Sequence, residues 1–331
     1  MKIAVVGYGG VGAAFIKLLK DQKEYINKEG IKIQVNYILN SRGGVYNPHG
    51  IDCEDVVNSF EKDITFNTII KNKDVDLVVE VTPTNKETGQ PGMTHIAKAL
   101  ENGMHVVTAN KGPILLNYKG LNELAVKNNV ELCIGCTTGG ALPSINGGIM
   151  DLAGSNILSI EGVLNGTTNF ILNEMEANGV DYSQALKKAQ ELGIAETNPT
   201  LDVEGWDTAS KLLILTNVLM NQEKTLKDMN VEGITKITPE EIKDCIGENK
   251  KYKLVGKTTN ENGNVKMSVK LEKLSKDHPL YNVDGKNKGV RYTSDPLGDL
   301  TIIGGASGVT PAAASILRDL INIHRGYKFS R

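Results

Sequence analysis

The chain has 331 residues, of which 40% are hydrophobic and 23% charged, and its formal net charge is −2. This composition is typical of a globular protein of one or two domains and argues against an intrinsically disordered chain. The small net charge gives no reason to expect a nucleic-acid partner. The sequence contains no apolar run of about 18 residues, so no membrane-spanning helix is predicted. The N-terminus runs directly into a strand and a glycine turn, without the pattern of a signal peptide, so we expect a cytoplasmic protein.

Strand and helix patterns alternate over roughly the first 135 residues. Residues 3–7 form an apolar run that predicts a buried strand, and Val11, Phe15, Leu18 and Leu19 follow at helical spacing. Further strands are predicted over residues 33–39, 76–81, 105–109 and 130–134, and further helices over residues 93–100 and 121–125. This alternation predicts an α/β fold class, with a Rossmann-type, doubly wound parallel sheet and helices on both of its faces.

The pattern becomes mixed after about residue 140. A strand is predicted over residues 157–164, followed by helices over residues 170–175, 181–192 and 204–220, a helix start at Thr238, short alternating segments over residues 252–293, and a last helix over residues 311–323. The stretch 204–220 reads as the longest helix. We therefore predict a second, mixed α/β domain with a sheet and helices on one of its faces.

The segment Gly7-Tyr8-Gly9-Gly10-Val11-Gly12 follows the first strand and opens the first helix. In this G-x-G-x-x-G pattern the glycines allow a tight turn, close approach of a pyrophosphate and close packing of helix on strand. The amides that begin near Gly10 would then face the phosphates. The context favours a dinucleotide site over a glycine turn that binds nothing.

The end of the second predicted strand indicates which dinucleotide binds. An NAD enzyme usually has an acidic residue there, but this chain has Leu39-Asn40-Ser41-Arg42. Ser41 and Arg42 are suited to the 2′-phosphate of NADP, which we favour as the cofactor, with NAD as the alternative. Under the alternative, Arg42 is an exposed loop residue without a role.

Two lysines are candidates for catalysis. Lys111 follows a predicted strand at the sheet edge where ligands of open α/β sheets bind. Lys211 and Asp207 are four residues apart on one helix face, and such a pair is usually solvated. Here the helix continues through an apolar run, so burial of the pair is expected. The acids Glu196, Asp202 and Glu204 lie just upstream and would suit a substrate that carries an ammonium group.

Taken together, these segments resemble those of homoserine dehydrogenases, and the resemblance extends over nearly the whole length of the chain. The resemblance is carried by the glycine motif and by residues 107–111, 165–171, 196–211 and 304–308. It implies a dinucleotide-binding domain over residues 1–138, a substrate and dimerisation domain over residues 139–303, and a C-terminal segment, residues 304–331, that returns to the first domain. It also implies a homodimer with a small amino-acid substrate, acting in the biosynthesis of threonine and methionine.

The resemblance further implies roles for individual residues. Lys211 would be the proton donor or acceptor at the substrate oxygen, assisted by Lys111. The residues implied to bind the substrate are Glu196, Asp202, Asp207, Gly166 and Thr167. Beyond the glycine motif, Ser41 and Arg42, those implied to bind the cofactor are Thr82, Asn110, Lys111 and Gly305. A lysine suits the chemistry, because reduction of an aldehyde by hydride builds negative charge on its oxygen.

Three features depart from the family pattern. Gly135 stands where the family has an acid that helps to bind a monovalent cation, so we expect no metal site. Ile194 stands where an aromatic residue is common. The loop over residues 82–91 is longer than usual, and is either a lid over the cofactor or a surface insertion.

Other readings stay open at this point. One is a related dehydrogenase of a different small polar alcohol or amino acid, which Gly135 and Ile194 would favour. Another is a non-catalytic dinucleotide sensor, against which the presence of both Lys111 and Lys211 argues. Cys133 and Cys136 form a single C-x-x-C pattern, while Cys53 and Cys245 are scattered. For the pair, packing in the core is favoured over zinc binding or redox chemistry.

Overall fold

The fold is described from a computed structural model that covers residues 1–52 and 60–330. The chain divides into two compact units: Met1–Ala141 together with Gly308–Arg331, and Leu142–Ser307. Cys53 lies outside the described residues. Among the described helices, none has both the length and the apolar character that a membrane crossing requires.

The first unit is built on a six-stranded sheet in the order β3-β2-β1-β4-β5-β6. The strands are β1 (Lys2–Val6), β2 (Gln34–Asn40), β3 (Gly43–Tyr46), β4 (Leu77–Glu80), β5 (His105–Thr108) and β6 (Leu132–Cys133). All neighbours pair in parallel except β2 and β3, which form an antiparallel hairpin that the sequence analysis missed. The Rossmann-type fold class is confirmed. The strand order reverses beside β1, which is the position at which such sheets bind ligands.

Helices follow most strands of this sheet: α1 (Gly10–Asp21), α2 (Lys23–Lys28), α3 (Phe66–Asn72), α4 (Gly92–Glu101) and α5 (Lys111–Lys127). Helix α1 begins at Gly10, as expected, and buries Phe15, Ile16 and Leu19. Its close approach to the preceding turn depends on Gly12, because a Cβ there would lie 2.0 Å from the Gly7 oxygen. The predicted strand over residues 130–134 is shorter in the structure, where β6 has only two residues.

The second unit contains a six-stranded sheet in the order β12-β11-β7-β9-β10-β8. The strands are β7 (Asn156–Val163), β8 (Met229–Val231), β9 (Lys250–Glu261), β10 (Asn264–Ser275), β11 (Lys288–Asp295) and β12 (Gly298–Gly304). All pairs are antiparallel except β8 with β10. The prediction of short segments after residue 252 was wrong, because β9 and β10 are twelve-residue strands that pair along their whole length. The turn between them is Asn262-Gly263, with positive φ at both residues, which suits a tight hairpin.

The helices of this unit are α6 (Ser144–Asn146), α7 (Gly166–Asn178), α8 (Tyr182–Glu191), α9 (Thr200–Val203), α10 (Trp206–Leu219) and α11 (Pro239–Gly247). A π-helical turn over Gly147–Asp151 extends α6. Helix α10 packs against β7 and β9 and buries ten of its 14 residues. Contrary to the prediction, α10 is not the longest helix, since the helix Val309–His324 has 16 residues.

The C-terminal segment belongs to the first unit from Gly308 onwards, while residues 304–307 belong to the second. Helix α12 (Val309–His324) packs against α1, and the buried Asp319 accepts a hydrogen bond of 3.0 Å from the amide of Gly135. Beyond the helix, one oxygen of the buried Glu131 accepts the amides of Phe329 and Ser330 at 2.7 and 2.9 Å. The end of the described chain is therefore fixed to the base of β6.

Candidate active site

A cavity of about 910 Å³ lies at the carboxyl ends of β1, β2 and β4 in the first unit. Its volume falls in the range typical of small-molecule and cofactor sites. Seven of the residues predicted to bind the cofactor line it: Gly7, Gly9, Gly10, Val11, Ser41, Arg42 and Thr82. None of the lining residues, all within the described ranges, is acidic.

The glycine turn has the geometry of a phosphate loop. Gly7 has φ of +112°, and a Cβ there would lie 2.5 Å from the Val81 oxygen, so the turn requires glycine. At Gly9, by contrast, a Cβ would meet nothing within 4 Å, which leaves open space above the turn. Helix α1 begins directly after it, and its first amides are free to bind an anion.

Positive charge surrounds the cavity near the end of β2. Arg42 is exposed, its amide is bound to Asn40 Oδ1 at 2.8 Å, and its guanidinium lies 6.0 Å from the centre of the Phe60 ring. Lys62, which the sequence analysis did not select, lines the same part of the cavity. Two cations in a cavity whose described lining contains no acid suit a phosphate better than a ribose hydroxyl.

A buried acid organises the ends of β4 and β5. Glu80 is fully buried and accepts hydrogen bonds from the amide and hydroxyl of Thr82, and from Thr108 Oγ1 at 3.1 Å. Asn110 Nδ2 in turn lies 3.3 Å from Thr82 Oγ1. The structure thus brings together Thr82 and Asn110, two predicted cofactor residues. Glu80 itself was missed, since its strand pattern indicates only a sheet residue.

Asn110 also determines where α5 begins. Its side chain caps the helix by accepting the Gly112 amide at 3.1 Å, so Lys111 is the first helical residue. Lys111 is half-buried at the carboxyl end of β5. The remaining predicted cofactor residue, Gly305, belongs to the second unit. It has φ of +74°, and a Cβ there would lie 2.5 Å from the backbone nitrogen of Leu142.

In the second unit, Lys211 and Asp207 form a close ion pair on α10. Lys211 Nζ lies 2.6 Å from Asp207 Oδ2, and it donates a hydrogen bond of 2.7 Å to the Leu164 carbonyl oxygen. Asp207 is in the first turn of the helix, where the helix dipole stabilises a carboxylate. The pair is largely excluded from solvent, as the apolar continuation of the helix predicted.

Asn165 connects this pair to a further acid. Its Nδ2 donates to Asp202 Oδ1 at 2.7 Å and to Asp207 Oδ2 at 2.9 Å. Its Oδ1 accepts the Thr168 amide at 2.9 Å and so caps α7. The sequence analysis quoted Asn165 but gave it no role. The signal available was its position before the helix start at Gly166, where asparagine is a preferred cap.

The other predicted substrate residues are neighbours in sequence of Asn165 and Asp202. Gly166 is the first residue of α7, and Thr167 Oγ1 donates to the Ile194 oxygen at 3.1 Å, which ties the helix to the segment preceding Glu196. Glu196 is exposed, and its backbone oxygen accepts a bond of 3.1 Å from Gln190. Its carboxylate is therefore accessible to a bound molecule.

The cysteines within the described residues are core residues. Cys133, Cys136 and Cys245 are all buried. Burial raises the pKa of Cys133 well above its ordinary value, which keeps the thiol protonated and unsuited to redox chemistry or metal binding. Packing in the core accounts for these residues.

Comparison with known proteins places this arrangement in a family. The family model described as homoserine dehydrogenase matches residues 143–321, and that described as the homoserine dehydrogenase NAD-binding domain matches residues 7–134. The chain belongs to the homoserine dehydrogenase family. The family predicted from the sequence, with its nicotinamide dinucleotide and its small-molecule substrate, is thereby confirmed.

Relatives extend over nearly the whole length of this homoserine dehydrogenase family member. A homoserine dehydrogenase of Methanocaldococcus jannaschii is 41% identical, and the match covers 99% of this chain and 100% of the relative. An NAD(+)-dependent homoserine dehydrogenase of Pseudomonas canavaninivorans is 35% identical, covering 98% and 96%. The crystal structure of a putative homoserine dehydrogenase from Archaeoglobus fulgidus has a TM-score of 0.89 and 32% identity, covering 98% and 99%.

Proposed function

We propose that this enzyme interconverts L-homoserine and L-aspartate 4-semialdehyde, with Lys211 as the acid or base and NADP as the preferred cofactor. The observation that carries this proposal is the buried contact of Lys211 with Asp207 and the Leu164 oxygen. A lysine held in this way has a fixed position from which its amine can exchange a proton with a substrate oxygen.

The residues of the first unit fit a nicotinamide dinucleotide. The glycine turn leaves open space at Gly9 beside the start of α1, and the cationic Arg42 and Lys62 lie near the end of β2. When bound, the nicotinamide ring supplies or accepts the hydride. Glu80, Thr82 and Asn110 fix the backbone at the ends of β4 and β5, and so give the cavity a rigid wall.

The acidic residues of the second unit suit the amino group of the substrate. Glu196 is exposed and Asp202 half-buried, so each is available to an ammonium group. Asp207 pairs with Lys211 at 2.6 Å and so holds its amine in place. In reduction, the Lys211 ammonium stabilises the developing alkoxide and donates a proton to it, whereas in oxidation the neutral amine removes the hydroxyl proton. Lys111 assists, with Gly166 and Thr167 beside the substrate.

Cofactor choice follows from the charge near β2. The absence of an acid among the described lining residues and the presence of Arg42 and Lys62 favour NADP. A relative named as NAD(+)-dependent makes the comparison of both cofactors necessary. We also propose a homodimer in which residues 139–303 provide the substrate site and the dimer interface, while the C-terminal segment belongs with the cofactor domain from Gly308 onwards. Light scattering would then give twice the chain mass of 35.8 kDa.

A substrate panel tests the proposal directly. The purified chain is assayed at the nicotinamide absorbance with homoserine, serine and threonine in the oxidative direction, and with aspartate semialdehyde in reduction, using NAD and NADP. We expect turnover of homoserine and the semialdehyde, with a higher kcat/KM for NADP than for NAD. Inactivity of both four-carbon substrates, with turnover of another alcohol, would overturn the substrate assignment.

A further inference from the structure

His95 on α4 contributes to the wall of the cofactor cavity but has no part in the function proposed above. Its Nδ1 atom is buried and has no hydrogen-bond partner. The closest acid in ion-pair range is Glu80, whose Oε1 lies 3.8 Å from Nδ1. A buried polar atom without a partner requires an explanation, because it costs free energy unless it serves a purpose.

The position of His95 assigns it to the adenosine half of the cavity. Its ring packs on Phe66 at a centroid distance of 4.4 Å, and Ile64 and Thr65, just before Phe66, also line the cavity. This stretch follows Glu61, which pairs with Gly44 of β3 at the sheet edge beside Arg42. In folds of this type the ribose beside the end of β2 is the adenosine ribose. The adenine therefore belongs near His95.

The side chains around His95 suit a flat, apolar ring. Ile64, Phe66, Pro83 and Pro91 line this part of the cavity together with the histidine. Such surfaces bind a purine by stacking and dispersion, but they do not distinguish one purine from another. Discrimination requires a polar group at the edge of the base, and the His95 imidazole is a candidate because it lines the cavity.

Nδ1 of His95 lies on the side of the ring that faces Glu80, with Oε1 at 3.8 Å, beyond hydrogen-bond distance. The other ring nitrogen, Nε2, is an acceptor in the tautomer that carries its hydrogen on Nδ1. The His95 side chain is 15% exposed while Nδ1 is buried, so the accessible part of the ring lies away from Nδ1.

We propose that His95 recognises the adenine base of the cofactor, with Nε2 accepting a hydrogen bond from the 6-amino group and Glu80 acting as a positioning residue. This inference rests on the proposed dinucleotide site. It predicts selectivity against hypoxanthine, because a 6-oxo group would place its lone pairs against that of Nε2. Loss of one such hydrogen bond corresponds to about a tenfold change in affinity.

The test compares binding of NADPH with that of its 6-oxo analogue, nicotinamide hypoxanthine dinucleotide phosphate in reduced form. Dissociation constants are measured by nicotinamide fluorescence, independently of turnover. If NADH binds more tightly than NADPH, the comparison uses NADH and its 6-oxo analogue instead. We expect the wild type to bind the adenine form about tenfold more tightly. His95→Phe keeps an aromatic ring on Phe66 and removes the buried nitrogen, so the variant should fold. Its dissociation constants for the adenine and hypoxanthine forms should differ by no more than about twofold.

Two further variants separate recognition from structure. Glu80→Gln offers an amide to Nδ1 and should lower the selectivity, whereas His49→Phe on an exposed loop should leave the ratio unchanged. Equal binding of both nucleotides by the wild type, or unchanged selectivity in His95→Phe, would overturn the base contact alone. Equal weakening of both nucleotides in His95→Phe would also overturn it, and would instead indicate a contact with a phosphate. Binding of neither nucleotide by the wild type would overturn the proposed cofactor site as well.

Discussion

Lys211 Nζ lies 2.6 Å from Asp207 Oδ2, one helical turn earlier, and the two side chains are only 13% and 12% exposed. Lys187 and Glu191 on α8 have the same spacing, but they lie 4.0 Å apart and are 77% and 65% exposed. An exposed pair contributes little to stability, whereas a buried pair costs desolvation that good geometry must offset. Burial thus distinguishes the pair on α10 from an ordinary surface pair of equal spacing.

Replacement of Lys211 by Met tests the acid–base role. We expect kcat to fall by about two to four orders of magnitude, because the variant has no proton to exchange with the substrate oxygen. The dissociation constant of NADPH should be unchanged, since the cofactor cavity belongs to the first unit. Lys187→Met, at the exposed pair, is the matched control and should keep full activity. Retention of turnover in Lys211→Met would rule out this residue as the acid or base.

Asn165 combines two tasks that different substitutions separate. Asn165→Ala should lower the free energy of unfolding by about 1–2 kcal/mol, because α7 loses its cap, and should raise the KM for homoserine about tenfold. Asn165→Ser keeps a capping oxygen but loses the amide that binds Asp202 and Asp207. We therefore expect it to recover most of the stability without recovering the KM.

The measurements are urea unfolding and steady-state kinetics. Asn178→Ala, at the exposed end of the same helix, provides the control, and its effect should stay below about 0.5 kcal/mol. A normal KM in the Asn165→Ser variant would show that the amide has no influence on the substrate carboxylates.

Arg42→Ala should change cofactor preference. Loss of the guanidinium removes a charge-assisted contact with the 2′-phosphate, so the KM for NADP should rise by roughly ten- to a hundredfold, while that for NAD stays within about twofold. The ratio of kcat/KM values for the two cofactors is the quantity to measure. Lys127→Ala, on the exposed end of α5, controls for a change in net charge. A parallel rise for both cofactors would contradict a contact with the 2′-phosphate.

Asp284 connects stability to pH in the second unit. Its carboxylate lies 2.9 Å from both Lys251 Nζ and the fully buried Lys253 Nζ. Partial burial raises the pKa of Asp284, but the hydrogen bonds from the two lysines outweigh it, so the pKa lies below the ordinary value of 3.8. The stabilisation is therefore present above about pH 4 and is lost as the pH falls through the lower folded-state pKa.

The Asp284→Asn variant should consequently be less stable than the wild type at pH 7, by about 1–2 kcal/mol, a value reduced by the partial exposure of the carboxylate. The difference should shrink as the pH falls below about 4. Urea unfolding at a series of pH values measures it, with the exposed Asp277→Asn as control. A difference that does not depend on pH would exclude the ion pairs as its origin.

Local patterns were sufficient for much of the fold. The glycine motif, the first helix and the helix starts at Asp181 and Thr238 depend on neighbours within a few residues, and the structure contains them as expected. Both helix starts are stabilised by capping boxes. The long strands β9 and β10 were missed because their apolar residues are interrupted by charged ones. One of these, Lys253, is fully buried, which only its partners in distant segments explain.

The site residues that the sequence analysis missed depend on long-range contacts. Asn165 binds carboxylates 37 and 42 residues further along the chain. His95 and Lys62 reach the cavity from a helix and a loop whose patterns indicate nothing beyond their local structure. Periodicity and motif spacing identify which faces are buried, but they do not show which polar groups from separate segments meet.

The return of the C-terminal segment to the first unit has a consequence for synthesis on the ribosome. Asp319, Phe329 and Ser330 supply contacts to Gly135 and Glu131 that are absent while the intervening 142–307 segment is being translated. The nascent cofactor-binding half therefore emerges early but stays incomplete until residues 319–330 have been synthesised.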